Sequence, residues 1–175
     1  MNISSSRQFG AAYYKPELIA TILEPAIAKL EHLSAFPNGE CHGLTAVFTN
    51  EFITRQQILR VGDVRDEEYQ KMSRAAEAMC RALRQSGERI SEQCFVQSRA
   101  LAKGGIRLNR TPRMLPGLCT VEQPAFLAVT GTGNPDADQA IAYYLAIHLC
   151  LSTVTEAERY CVQGISNLYL FRILD

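Results

Sequence analysis

The chain has 175 residues, 47% of them apolar and 21% charged, enough to bury one core without disulfide or metal staples. Eighteen basic residues balance eighteen acidic ones, so no net field draws nucleic acid or an anionic membrane surface, and neither is expected as a partner. The same balance leaves little repulsion between copies, and a homo-oligomer is expected.

Residues 1–12 are polar and small without a period, and read as a flexible N-terminal arm; residues 13–175 read as a single α/β domain. The opening Met1-Asn2-Ile3-Ser4-Ser5-Ser6-Arg7 lacks the apolar core of a signal peptide. No stretch approaches the roughly 18 apolar residues of a membrane helix. Six cysteines without a CxxC pair then read as reduced, mostly packed thiols in a cytoplasmic protein.

Leu18, Ile22, Ala26, Leu30 and Leu33 recur at helical spacing between Tyr13 and Leu33. Pro16 suits the first turn, whereas Pro25 removes a backbone donor and should kink or divide the helix. Gly43 to Thr49 and Arg55 to Val61 read as strands joined through Asn50-Glu51, the first more apolar and central. Asp66 to Gln85 is the clearest helix, with a core stripe of Tyr69, Met72, Ala76, Met79 and Leu83. A second helix is expected over Glu88 to Lys103, ended by Gly104-Gly105.

Leu118 to Val121 and Ala125 to Thr130 read as another strand pair. Asn134 can cap the next helix, Pro135 fits its first position, and Asp136 and Asp138 complement its positive end. That helix runs to about Cys150 with Ala137, Ile141, Tyr144, Leu145 and His148 on one face. Residues 152–175 form either a last strand or a docking helix. Strand pairs set between helices predict an α+β fold, a central antiparallel sheet with helices packed on it.

Few residues carry a chemical signature. The turn Thr130-Gly131-Thr132-Gly133-Asn134 sits where phosphate loops sit, but residue 136 is Asp and no GK[ST] follows, so a tight turn is favoured. Cys41-His42 is the one adjacent thiol–imidazole pair, and its side chains should point to opposite faces of an extended segment. His148 reads first as a buried core histidine. His32 near a helix end reads as a dipole partner, placed where an imidazole could also reach a flat cofactor on the sheet. Arg107, Arg110 and Arg113 crowd one loop, either solvated or forming a carboxylate clamp. No paired carboxylates or triad support an enzyme acting on a small organic acid.

Leu115-Pro116-Gly117, Ala125-Phe126-Leu127-Ala128-Val129-Thr130-Gly131 and Asp136-Ala137-Asp138 resemble the Pro-Gly loop, glycine-ended strand and acidic helix start of the GlcG/HbpS-like haem-binding family. The same domain occurs at the C-terminus of PduO-type proteins. The chain departs from that pattern at Thr49-Asn50-Glu51-Phe52, in place of an Asp-x-x-Gly turn, and at Pro116-Gly117, in place of Gly-Gly. The resemblance implies a profilin-like fold and a small-molecule ligand, haem or a related tetrapyrrole. His32 or His148 would be the axial imidazole, His32 the better placed, with Arg110 and Arg113 near the propionates. The competing expectation is a non-enzymatic interaction or scaffold protein that assembles through apolar helix faces and the segment Leu168 to Leu174.

Overall fold

The computed structural model describes residues 3–8, 13–50, 52–87, 104–107, 124–160 and 165–175. The helix expected over Glu88 to Lys103, the strand expected at Leu118 to Val121, and the arginines Arg110 and Arg113 lie outside them. In chain order the elements are β1 (Ile3–Gln8), α1 (Pro16–His32), β2 (Gly43–Thr49), β3 (Gln56–Gly62), α2 (Asp66–Gly87), β4 (Gly104–Arg107), β5 (Phe126–Thr130), α3 (Pro135–His148), α4 (Val154–Tyr160) and α5 (Ile165–Leu174). The strands form one sheet in the order β1-β3-β2-β5-β4, and every pairing is antiparallel. The fold is α+β, an antiparallel sheet carrying helices on both faces.

The layers follow from strand alternation. Leu44, Ala46, Phe48, Leu59, Val61, Leu127 and Val129 point into the larger core, shared with α1, α3 and α5. Val47, Ile58, Phe126 and Ala128 point the other way and meet Ala76, Met79, Cys80 and Leu83 of α2. Covered on both faces, β2 is buried at all seven positions, which explains its continuous apolar run and central place.

Several expectations are corrected. Ile3–Gln8 pairs with β3 as an edge strand, although the segment had read as a flexible arm. Backbone hydrogen bonds alone hold such a ladder, so a serine-rich sequence shows no alternation to announce it. Gly104-Gly105 opens β4 beside β5, and the helix expected before it lies outside the described residues. On α1 the buried line is Ile19, Leu23, Ala26, Ile27 and Leu30, rotated from the expected stripe, and Leu33 is exposed. Pro25 does not divide this helix. It stands on the exposed side, where the carbonyl of Thr21, one turn earlier, can turn to water. Residues 154–160 and 165–174 are helices, which settles the open question at the chain's end in favour of docking helices.

The stripe on α2 is largely as expected: Tyr69, Ala76, Met79 and Leu83 are buried, Met72 is half-buried, and Arg74, Arg81 and Arg84 face solvent. Gln57, fully enclosed, joins the layers. Its amide group donates to the carbonyl of Tyr14 at 2.7 Å and its carbonyl accepts the Tyr14 N–H at 3.0 Å. Among the described residues, no helix is long and apolar enough to cross a membrane.

Candidate functional site

His32 and His148 occupy equivalent places. Each is the last helical residue before a left-handed reversal, at Ser34 (φ 53°) after α1 and at Cys150 (φ 55°) after α3. The N–H of Ser34 reaches Glu31 and that of Ala35 reaches Leu30; Cys150 reaches Ile147 and Leu151 reaches Ala146. This double bonding closes a helix end, here without the usual glycine. The expectation of a core histidine at position 148 is corrected. The buried stretch runs from Ala137 to Ala146, the helix ends two residues later, and His148 stands exposed.

The two histidines cannot share a site. The Asn134 side chain that caps α3 also donates to the Ala35 carbonyl at 2.7 Å, so α3 begins where α1 ends. The helices run antiparallel, and the fourteen residues of α3 hold the imidazoles roughly 20 Å apart. His148 lies against Tyr144, ring centroids 4.2 Å apart and tilted by 49°. Partial burial there pushes its pKa below the ordinary imidazole value, so the ring is neutral at pH 7. His32 is exposed at the far end.

The other sequence signals resolve structurally. Thr132 donates through both its backbone N–H (3.2 Å) and its hydroxyl (2.8 Å) to the buried Asp138 carboxylate, while Asn134 accepts from the Asp136 N–H at 3.0 Å. The protein's own side chains occupy the donors a phosphate would use, and the turn is a cap. Burial, with the charge of Asp138 next in weight, pushes the Cys41 thiol up to about 12, so it stays protonated at neutral pH and is a poor nucleophile or metal ligand. His42 faces solvent, its Nδ1 3.9 Å from Glu40. Among the described residues, no three His, Cys, Asp or Glu side chains converge as a chelating metal site. A haem iron takes only one or two axial ligands and so needs no such cluster.

A cleft that the sequence did not reveal opens at the turn joining β2 and β3. Asn50 organises this turn: its Oδ1 accepts the N–H groups of Thr54 (2.9 Å) and Arg55 (3.1 Å), and its Nδ2 donates to Thr54 Oγ1 at 3.0 Å. Ile53 N–H donates to the Asn50 carbonyl at 3.0 Å, and Thr49 Oγ1 donates to that of Arg55 at 2.9 Å. Together they hold Ile53 at φ 58°, a left-handed conformation that costs a β-branched residue about 1–3 kcal/mol. Phe52 is left 64% exposed, and Ile53 packs on the α2-side core. Between this turn and the end of α2 lies a cleft of about 340 Å³ lined by Ile53, Arg81, Arg84 and Gln85. His148 lies at the same end of the sheet on the opposite face. Tyr14, clamped by Gln57 near the start of β3, lies near Cys150.

Compared with known proteins, the chain matches no family model, no curated protein and no solved structure.

Proposed function

We propose that the domain is a binding protein for a small flat ligand of the haem or tetrapyrrole type, with His148, in place of the His32 expected from the sequence, as the axial imidazole because its ring packs on Tyr144. The observation that carries this reading is the His148 ring itself, exposed and set 4.2 Å from the Tyr144 ring, with partial burial lowering its pKa and so favouring the neutral imidazole. A neutral nitrogen is what iron accepts, and the buried Tyr144 ring holds the imidazole from beneath while its outer side stays open. Arg110 and Arg113 keep their proposed role at the propionates. The reading places the domain in the cytoplasm, in keeping with the free thiols of Cys41, Cys80 and Cys150.

Haemin added at stoichiometric protein should give a shifted Soret band. His148→Ala should weaken binding by about ten-fold or more, the size of a lost ligand contact, while His32→Ala and His42→Ala leave it unchanged. Because the folded pKa of His148 is lowered, its contribution should persist to more acid pH than an ordinary imidazole allows, and vanish below that lowered pKa. An unshifted haemin spectrum, or a His148→Ala variant that binds like the parent, would overturn the reading.

A second reading, self-association, is favoured by α5. Leu170 and Ile173 are buried while Leu168 and Phe171, one turn apart on the outer face, are 54% and 40% exposed. Sedimentation should show a dimer at high micromolar concentration, the commonest closed form, and Leu168→Glu with Phe171→Glu should return a monomer. A parent chain that sediments as a monomer removes this reading.

A further inference from the structure

We infer that the cleft between the β2–β3 turn and the end of α2 is a site for a small aromatic carboxylate, separate from any tetrapyrrole site. Its 340 Å³ lies near the lower end of ligand pockets, roughly 300–1,000 Å³, which suits a molecule of one or two rings rather than a porphyrin. The lining supplies the two chemistries such a ligand requires. Ile53 gives an apolar wall and Arg81 and Arg84 give positive charge, with the Arg84 guanidinium 5.9 Å from the centre of the exposed Phe52 ring beside the cleft.

The two arginines differ in what holds them. Arg81 lies 3.7 Å from Glu77, whose other oxygen accepts from Gln56 at 3.4 Å, so its charge is largely answered. Arg84 has no carboxylate partner among the described residues. A guanidinium fork with no carboxylate partner among the described residues takes a carboxylate through two parallel N–H bonds while the ligand's ring lies against Ile53. The negative end of α2 opposes an anion, but its charge of about one half is smaller than the full charge on Arg84. The strained backbone of Ile53 is an independent sign. The Asn50 network keeps a β-branched residue where glycine or asparagine would sit without cost, and its effect is to set Ile53 against the cleft.

The test uses the full chain with 2-naphthoate as the probe, followed by amide chemical shifts. Saturable shifts are expected at Phe52, Ile53, Arg84 and Gln85. 2-Naphthalenemethanol, with the same rings and no charge, should bind at least about ten-fold more weakly, and Arg84→Gln should cost naphthoate a similar factor, the size of a charge-assisted contact. Arg84 is exposed, so its replacement leaves the core untouched, and the same spectra report whether the variant is folded. Inorganic phosphate should fail to displace the probe. Shifts confined to other surfaces, equal binding of the neutral alcohol, an unaffected Arg84→Gln variant, or displacement by phosphate would each overturn the assignment. The haemin experiment reads a different face of the sheet, so either proposal can fail without the other.

Discussion

Met79→Asp leaves no cooperative unfolding transition at neutral pH. The Met79 side chain is fully enclosed in the α2-side core, among Ala76, Cys80, Leu83, Val47, Ile58, Phe126 and Ala128. Truncating such a side chain costs about 2–5 kcal/mol through lost burial and residual cavity. An ionised carboxylate adds several kcal/mol more, because the side chains of this cluster are apolar. The sum is of the order of a whole domain's stability, about 5–15 kcal/mol. Burial raises the carboxyl's pKa in the folded state above its unfolded value of about 3.9, so the penalty grows as pH rises from about 4 and is relieved below it. Thermal melts followed by circular dichroism at pH 4 and pH 7 should therefore differ, with partial recovery at the lower pH. Met79→Leu should cost less than about 1.5 kcal/mol. If Met79→Asp melts like the parent at pH 7, α2 does not pack on the sheet through this face.

Gly62→Ala should be more damaging than the same change at Gly39, Gly43, Gly131 or Gly133. Gly62 ends β3 opposite Gly43 with φ 95°, and a β-carbon there would collide with the His42 carbonyl and come within 2.6 Å of Gly43 Cα. Both obstacles are backbone, fixed by the β2–β3 ladder and by the Asp63 N–H donating to His42 at 2.9 Å. Tyr69 also donates its hydroxyl to the Gly62 carbonyl at 2.7 Å, so the segment cannot swing away without losing that bond. The expected loss is about 3–5 kcal/mol, or roughly 10 °C or more in melting temperature for a domain of this size. Gly39→Ala is the control. Gly39 has a similar φ of 82° but nothing within 4 Å of the added carbon, so only the conformational cost of about 1 kcal/mol remains. Equal losses for the two variants would show that the close approach at Gly62 contributes nothing.

What was legible in the sequence depended on how asymmetric each element's surroundings are. On α2, one face meets the sheet and the other meets water, so apolar and charged residues separate cleanly and the period gives the face. The start of α3 was legible because Asn134 and Pro135 are local chemistry, and the cap forms through the Asn134 side chain as expected. The rest of α3 is enclosed almost all round, so periodicity said nothing about which way His148 faces. Its end was hidden as well, since Cys150 takes the left-handed position where glycine would have announced a stop. On α1, Leu18 and Ile22 border the buried line closely enough to blur it by one residue. The edge strands β1 and β4 are held by backbone pairing, which leaves no pattern to read. The cleft was invisible for a different reason. Phe52 and Ile53 meet Arg81 and Arg84 only after α2 folds back over the hairpin, and no motif spans that separation.

The clamp that Gln57 places on Tyr14 has a dynamic consequence. Both bonds run from the start of β3 to the backbone just before α1, in a site closed to water. For the α1 end of the helical layer to lift away, that carboxamide must lose both partners in a place where no solvent replaces them. Fluctuations that open this layer are therefore tied to rupture of the sheet itself, and the two act as one cooperative unit.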